Sequence, residues 1–164
     1  MVYAELICVA VMNLNMPHAA FACGWTDYVV HVSEEQGIDP TVMVSLIHYE
    51  SRWTPSAVSK SGACGLTQVL PRYTKDPRQS CRQLKDPYTS IETGTRTLRR
   101  WISKYGKGNL SKGLCGYNAG YTCGRRYSRR HGGWRYSRKV QRYAKKIRDE
   151  IERIEKERLN PEGD

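Results

Sequence analysis

Two Asp-Pro pairs constrain the fold of this chain more than any other feature of its sequence. Asp39-Pro40 and Asp86-Pro87 each combine an acidic N-cap with proline at the first helical position, which is a typical start of an α-helix. Apolar residues at helical spacing follow both pairs, and they also follow the Gly132-Gly133 break, where they predict a long final helix. No stretch has the alternation expected of a β-strand. We therefore predict a mostly α fold with a loop-rich stretch over 53–85.

The length of the chain limits it to one domain. Its 164 residues are enough to bury one hydrophobic core but not two independent ones. Apolar residues make up 39% of the chain and charged residues 26%, which is the range of globular proteins. No apolar run approaches the ~18 residues of a membrane-spanning helix.

The net charge of +11 is concentrated in the middle of the chain. Residues 1–50 contain six acidic residues and no lysine or arginine, whereas residues 51–148 contain twenty-four basic residues and only three acidic ones. Such a positive field favours a polyanionic partner. Composition alone leaves nucleic acid, anionic lipid and an acidic wall polymer as alternatives.

The N-terminus has features of a targeting segment. Leu6–Met12 is a short apolar run, and Ala20-Phe21-Ala22 has the small-x-small form of a signal-peptidase site. We expect residues 1–22 to be a leader for export, with an ordinary N-terminal helix as the alternative. Lipidation of Cys23 is the weaker interpretation, because an aliphatic residue is expected at the position of Ala20.

Six cysteines in so short a chain favour an oxidising compartment. Cys64 with Cys81 and Cys115 with Cys123 are plausible local disulfides, although sequence does not determine the connectivity. Buried reduced thiols are the alternative. The spacing of cysteine and histidine fits no metal site, so we expect neither a metal nor another cofactor.

Glu50 is the most informative single residue. It follows Met43, Leu46 and Ile47 at the spacing of one helix face, so a carboxylate occupies an apolar stripe. Burial and the negative end of the helix dipole both disfavour its ionised form and raise its pKa. A carboxyl that stays protonated near neutral pH suits general-acid cleavage of a glycosidic bond. The alternative is a helix-end glutamate that turns to solvent or pairs with Arg52.

Three motifs in order resemble those of the SLT-type lytic transglycosylases, a family related to goose-type lysozyme. The first motif is Glu50-Ser51-x-Trp53-x-Pro55-x-Ala57-x-Ser59-x-x-Gly62-Ala63-x-Gly65-Leu66-x-Gln68-x-x-Pro71. The second is Gly116-Tyr117-Asn118-Ala119-Gly120, and Arg142-Tyr143-Ala144-Lys145-Lys146-Ile147 is similar to the closing motif. The resemblance implies a single lysozyme-like domain over 23–148, with helices around a saccharide-binding groove, followed by a charged helix end and tail over 149–164.

The resemblance also implies a reaction and a set of site residues. Glu50 matches the family's single catalytic acid/base, which cleaves the β-1,4 bond between N-acetylmuramic acid and N-acetylglucosamine and leaves a 1,6-anhydromuramyl end. Matches to positions lining the saccharide groove are Ser59, Gln68, Tyr117, Asn118 and Tyr143. Cys64 and Cys115 stand in or beside motifs where the family has no cysteine, which raises the question of redox sensitivity.

The scarcity of carboxylates agrees with a mechanism that uses one acid. Ordinary glycosidases need a second carboxylate, and residues 51–148 offer only Asp76, Asp86 and Glu92. A substrate that supplies its own nucleophile removes that need. A hydrolytic, goose-type lysozyme-like muramidase stays open as an alternative, because Glu34, Glu35 or Asp39 could fold back towards Glu50.

The basic segment 125–148 suggests a second kind of partner. It contains eleven lysines and arginines, no acid, and aromatic residues between them. This pattern is compatible with nucleic acid, but we favour an anionic wall or outer-membrane surface. We expect a monomeric enzyme that acts on peptidoglycan strands in the periplasm or outside the cell, alone or with a virion or secretion apparatus. A basic binding or structural module without catalysis is the third alternative.

Overall fold

The computed structural model describes residues 2–74, 78–124 and 132–160. Within these ranges the chain forms eight α-helices and no β-strand, which confirms the mostly α prediction. The helices are α1 (Tyr3–Asn13), α2 (Ala19–Cys23), α3 (Thr26–Glu35), α4 (Pro40–Ser51), α5 (Cys81–Leu84), α6 (Pro87–Arg100), α7 (Leu110–Ala119) and α8 (Gly132–Leu159). A π-helical turn, Trp101–Tyr105, extends α6. None of the described helices is long and apolar enough to cross a membrane.

Both Asp-Pro pairs begin helices as predicted. The Asp39 carboxylate accepts a hydrogen bond from the Thr41 amide at 2.8 Å, and the Asp86 carboxylate accepts one from the Thr89 amide at 2.8 Å. Each bond satisfies a backbone donor that the first turn of a helix leaves without a partner. These caps determine where α4 and α6 start.

Helix α4 is the centre of the core. Every residue from Pro40 to Ile47 is buried, so this helix is surrounded on all sides rather than amphipathic. It packs against α3 and α8, and α8 also packs against α1 and α7. Immediately after α4, Arg52 and Trp53 both adopt positive φ angles, and the buried Trp53 ring holds this sharp turn in place. The end of α4 is therefore held by its packing against α3 and α8 and by the buried Trp53 that follows it.

The loop-rich stretch over 53–85 contains little helix, and its backbone is held by local contacts. Two isolated β-bridges join Cys64 to Val58 and to Val69. Cys64, Val69 and Leu84 form a small second hydrophobic cluster. The cluster holds this loop beside the main core.

Three disulfides are present: Cys8–Cys23, Cys64–Cys81 and Cys115–Cys123. The last two are the local bridges that the spacing suggested. The first, whose partners the sequence left open, joins α1 to the end of α2. The alternative of reduced thiols is wrong for this structure.

Helix α1 is part of the packed structure. Its buried side chains are Ala4, Leu6, Ile7, Ala10 and Val11. The Asn13 amide also donates a hydrogen bond to Glu150 of α8 at 2.8 Å. Residues 3–13 thus form a packed helix, as in the alternative of an ordinary N-terminal helix. The removal of residues 1–22 as a leader stays a prediction. The predicted boundary after residue 148 falls inside α8.

Candidate active site

Glu50 lies in the last turn of α4, where the buried helix reaches a partly exposed surface. Its carboxyl faces tyrosines from α7 and α8 rather than bulk solvent. Within the described ranges no ion pair joins it to Arg52 or to any other cation. The carboxyl is therefore held without a compensating positive charge.

The pKa of Glu50 is raised to about 7. Burial is the main cause, because removing a carboxylate from water disfavours its charged form. Interaction with the Tyr136 hydroxyl acts in the opposite direction and lowers the pKa in part. At neutral pH the protonated and ionised forms are then both populated, so Glu50 can donate a proton and also accept one.

Two tyrosines flank this carboxyl. The Tyr117 hydroxyl donates a hydrogen bond to the Thr67 carbonyl oxygen at 2.6 Å, which ties α7 to the loop that follows α4. The Tyr136 hydroxyl is buried and has no hydrogen bond of good geometry to any described residue. Burial, reinforced by the charge of Glu50, raises the pKa of both phenols well above the usual value, so both stay protonated. The Tyr117 proton is engaged by Thr67, whereas the Tyr136 proton is available for donation.

Tyr136 is the residue that sequence reasoning missed. Tyr143, two helical turns further along α8, was expected to line the groove; in the structure its ring stacks on His48 at 4.9 Å and meets Tyr49 edge-on at 6.0 Å. Both tyrosines belong to one stripe of α8 with Val140 and Ile147, so helical periodicity does not distinguish them. A role for Tyr143 in saccharide binding stays a prediction.

Gln68 and Ser59 hold the shape of the loop after α4. The Gln68 amide donates hydrogen bonds to the carbonyl oxygens of Ala57 at 3.1 Å and Gly65 at 3.0 Å. The Ser59 hydroxyl accepts a hydrogen bond from the Ala63 amide at 3.0 Å. These contacts do not test their predicted contact with sugar.

Asn118 lies at the exposed end of α7, next to Tyr117. The helix ends at Ala119, and Gly120, with φ 62°, is its C-cap. This arrangement leaves the Asn118 side chain accessible to a ligand, and its predicted role in binding is likewise untested.

The other carboxylates considered as a second catalytic acid have different partners. Glu92 accepts a hydrogen bond from Tyr28, Asp39 pairs with Arg148 at 2.6 Å, and Glu35 lies 3.6 Å from His31. Glu34 is exposed on α3, and Asp76 lies outside the described residues. Among the described residues, no carboxylate contributes to the raised pKa of Glu50, as a close one would.

The basic segment 125–148 is described only from residue 132. On this part of α8, five cations are exposed: Arg135, Lys139, Arg142, Lys145 and Lys146. Lys145 pairs with Asp149 at 2.7 Å. The described part is a solvated basic helix face, and residues 125–131 lie outside the description.

Comparison with known proteins identifies similarity over most of the chain. The family model described as "Transglycosylase SLT domain" matches residues 27–140. A "Membrane-bound lytic murein transglycosylase E" of Buchnera aphidicola is 31% identical over an alignment of 80 residues that covers 43% of this chain and 36% of the relative. A "Transglycosylase" of Enterobacteria phage PRD1 is 28% identical over 99 residues, which are 60% of this chain and 36% of that protein.

Two further proteins extend the comparison. A "Soluble lytic murein transglycosylase" of Escherichia coli is 27% identical over 108 residues, 61% of this chain and 17% of the relative. An X-ray structure of an inactive mutant of the lytic transglycosylase Slt from Pseudomonas aeruginosa superposes with a TM-score of 0.55 at 19% identity, over 88% of this chain and 28% of that one. This likeness confirms the predicted lysozyme-like fold class. The aligned part spans about a third or less of the length of each of these proteins.

Proposed function

This chain belongs to the family defined by the transglycosylase SLT domain, and from that membership we propose that it is a peptidoglycan lytic transglycosylase. It cleaves the β-1,4 bond between N-acetylmuramic acid and N-acetylglucosamine and leaves a 1,6-anhydromuramyl end. The observation that carries this proposal is the carboxyl of Glu50, which has a pKa near 7, two tyrosines beside it and no second carboxylate acting on it among the described residues.

In the first step protonated Glu50 acts as the general acid. It donates its proton to the glycosidic oxygen while the bond between this oxygen and C1 of the muramyl residue breaks. The carbonyl oxygen of the substrate's own acetamido group stabilises the positive charge that develops at C1. The protein then needs no second carboxylate as a nucleophile, in contrast to ordinary glycosidases.

In the second step ionised Glu50 acts as the general base. It removes the proton from the C6 hydroxyl of the same muramyl residue, and the C6 oxygen forms the new bond to C1. This step returns the proton to Glu50 and consumes no water. A pKa near 7 serves both steps, because a stronger acid would be a poor base and a weaker acid would be a poor donor.

The tyrosines act through Glu50 and the loop. Tyr136 is placed to donate a hydrogen bond to the Glu50 carboxylate in the ionised state, which limits the rise in its pKa. Tyr117 connects α7 to the carbonyl oxygen of Thr67 and so fixes the loop after α4 beside Glu50. The residues proposed to line the groove, as the family motifs imply, are Ser59, Gln68, Tyr117, Asn118 and Tyr143.

A hydrolytic muramidase of the same fold is the main competing function. It would need a carboxylate to activate water, and the engaged positions of Glu92, Asp39 and Glu35 do not favour that role. A binding module without catalysis would leave the raised pKa of Glu50 without use.

We place the activity in the periplasm or outside the cell, at the wall. Three disulfides need an oxidising compartment to form and persist. The exposed cations of α8 are proposed to attract the anionic wall or outer-membrane surface. We propose that the protein acts as a monomer and needs no nucleic acid.

Mass spectrometry of the muropeptides released from purified peptidoglycan tests this function, with Glu50→Gln protein as the matched control. We expect products one water lighter than hydrolytic ones from the wild type and none from the variant. Reducing ends would instead establish a hydrolase. Digestion by Glu50→Gln at the wild-type rate would contradict the role of Glu50, and a wild type that releases nothing would contradict the enzymatic function.

A further inference from the structure

A concave surface lies away from Glu50, between the π-helical turn, α7 and the first turn of α8. It has a volume of about 360 Å³. Its walls are formed by Trp101, Tyr105, Lys112, Gly116, Tyr121 and Trp134. We call it the aromatic hollow.

The aromatic hollow and the Glu50 site occupy different faces of the same helix. Trp134 lines the hollow, and Tyr136 faces Glu50. Two residues apart on a helix, these side chains project about 200° from each other around the axis. A ligand in the hollow therefore does not compete with the reaction at Glu50.

Three aromatic rings form the floor and rim of the hollow. The centre of the Trp101 ring lies 4.6 Å from that of Tyr105 and 5.3 Å from that of Tyr121. The hydroxyls of the two tyrosines are hydrogen-bonded to each other at 2.7 Å. Tyr121 is nevertheless 65% exposed. A large aromatic side chain held in place by its neighbours and yet open to solvent presents an apolar surface at little entropic cost on binding.

The packing of Trp101 depends on a glycine in the second motif. A β-carbon at Gly116 would approach the Trp101 ring to 2.4 Å, so only glycine lets the indole lie against α7. The motif that carries Tyr117 towards Glu50 thus also seats the aromatic rings of the hollow.

The hollow is connected to the loop that borders the catalytic groove. Tyr73, in the turn Pro71–Tyr73 that follows Gln68, is 64% exposed. The loop that leads to Tyr73 is tied to α7 by the hydrogen bond from the Tyr117 hydroxyl to the Thr67 carbonyl oxygen at 2.6 Å, and Gly116, the residue before Tyr117, lines the hollow. The loop that carries the exposed Tyr73 and the hollow that carries the exposed Tyr121 therefore adjoin the same helix, α7.

The charge around the hollow selects an anionic ligand. The chain contains no aspartate or glutamate between Glu92 and Asp149. Lys112 lines the hollow, and the Lys104 ammonium lies 5.9 Å from the centre of the Tyr105 ring. Apolar rings beside two lysines fit a sugar polymer that bears carboxylates, with ring faces for the sugars and lysines for the acids.

We propose that the aromatic hollow is a distal binding site for the same anionic glycan strand that is cleaved at Glu50. This inference rests on the proposed function and assigns the enzyme a preference for long strands. A strand that reaches past Tyr73 to Tyr121 gains contacts that a short fragment cannot make, and it stays bound between successive cleavage events.

The test measures binding rather than cleavage, in Glu50→Gln protein. The ligands are glycan strands freed of their peptides by an amidase, which keep their lactyl carboxylates, and a tetrasaccharide fragment of them. We expect Tyr121→Ala to weaken binding of the long strands about tenfold, a common cost of removing one exposed aromatic anchor, and to leave the tetrasaccharide unaffected. Tyr88→Ala, which removes another exposed tyrosine far along the chain, is the matched control.

A second variant, Lys112→Gln, tests the contribution of charge to binding through its dependence on salt. Lys112→Gln should weaken binding of the long strands at low salt and have less effect at high salt, because the contact is with an exposed carboxylate. Unchanged affinity of the long strands in both variants overturns the proposal. Displacement of the strands by single-stranded DNA that itself depends on Tyr121 overturns it in favour of a nucleic-acid site.

The experiments distinguish failure of the distal site from failure of the proposed function. If wild-type protein cleaves peptidoglycan but long and short ligands bind equally, only the distal site is wrong. If it cleaves nothing, the proposed function is wrong, and the dependence of strand binding on Tyr121 still decides the distal site.

Discussion

The hydroxyl of Tyr136 on α8 lies beside the carboxyl of Glu50 at the end of α4 and, among the described residues, exerts the main influence that lowers the pKa of that carboxyl. Burial raises the same pKa, so its value near 7 results from two opposed effects. Each can be changed by a single substitution.

Tyr136→Phe removes the hydroxyl and keeps the ring. We expect the apparent pKa of Glu50 to rise above 7, so that the pH optimum of cleavage moves up and the rate at neutral pH falls about tenfold or more, as for loss of a positioned donor. Tyr28→Phe is the matched control, since the Tyr28 hydroxyl bonds a different carboxylate, Glu92. A pH–rate profile unchanged in Tyr136→Phe would contradict this role.

Glu50→Gln should make the protein more stable at alkaline pH. Folding raises the pKa of Glu50 from 4.5 to about 7, so the folded state binds its proton more tightly. The resulting stabilisation is complete below pH 4.5 and is lost as the pH rises through 7, with a total of at most about 3 kcal/mol. Urea unfolding at pH 5 and pH 8 measures this: the wild type should lose stability relative to Glu50→Gln, whereas Glu152→Gln on the exposed face of α8 should follow the wild type.

Gly65→Ala should destabilise the loop by about 2–3 kcal/mol or more. Gly65 has φ 78°, and a β-carbon there would come within 1.7 Å of the Leu84 carbonyl oxygen. Gly62→Ala is a close control, because Gly62 has a similar φ of 84° but no atom within 4 Å of an added β-carbon. The difference in free energy of unfolding between the two variants isolates the steric part, and equal values would contradict the close approach of Leu84.

Reduction of the disulfides should impair activity through the two bridges beside the motifs. Cys64–Cys81 closes a loop with a separation of 17 residues, and Cys115–Cys123 brackets Tyr117 and Asn118. Replacing either pair by alanine should cost about 3 kcal/mol of stability, and cleavage should fall at temperatures where the protein is still folded. The Cys8–Cys23 pair is the matched control, for which we expect lower stability with near-normal activity when folded. Equal loss of activity in all three would indicate a general effect of stability.

Removal of residues 2–22 should lower the free energy of unfolding by on the order of 5 kcal/mol. The shortened chain loses the buried face of α1, including Leu6, Ile7 and Val11, and exposes the part of α8 that it covers. Calorimetry of the two forms measures the cost, and the mass of the protein recovered after export tests the leader prediction directly. Equal melting temperatures would contradict a structural role for α1.

Local signals accounted for a large part of the fold. Asp39 and Asp86 cap α4 and α6 as predicted, since a cap depends only on neighbours in the chain. The Cys64–Cys81 and Cys115–Cys123 disulfides were also foreseeable as local bridges. The partner of Cys8 was not, because nothing local determines how α1 and α2 meet.

The candidate site was predictable to the extent that its chemistry depends on residue type and position along one helix. A carboxyl in an apolar stripe predicted a raised pKa for Glu50, and the structure agrees. Tyr136 could not be distinguished from Tyr143, because both lie on the same face of α8 and only the way α8 packs along α4 brings Tyr136 to Glu50 and Tyr143 to His48.

By itself, then, the sequence determined the helices, their caps and the residue type that can exchange a proton, since these follow from spacing and from short-range hydrogen bonds. Only the tertiary structure decided which tyrosine faces Glu50, which cysteines pair at the N-terminus and that Trp101, Tyr105 and Tyr121 share one hollow. The contact of Tyr136 with Glu50 joins distant parts of the chain, and the other two depend on how neighbouring helices and turns are oriented against each other. Their geometry is set by how whole helices pack, which no local pattern records.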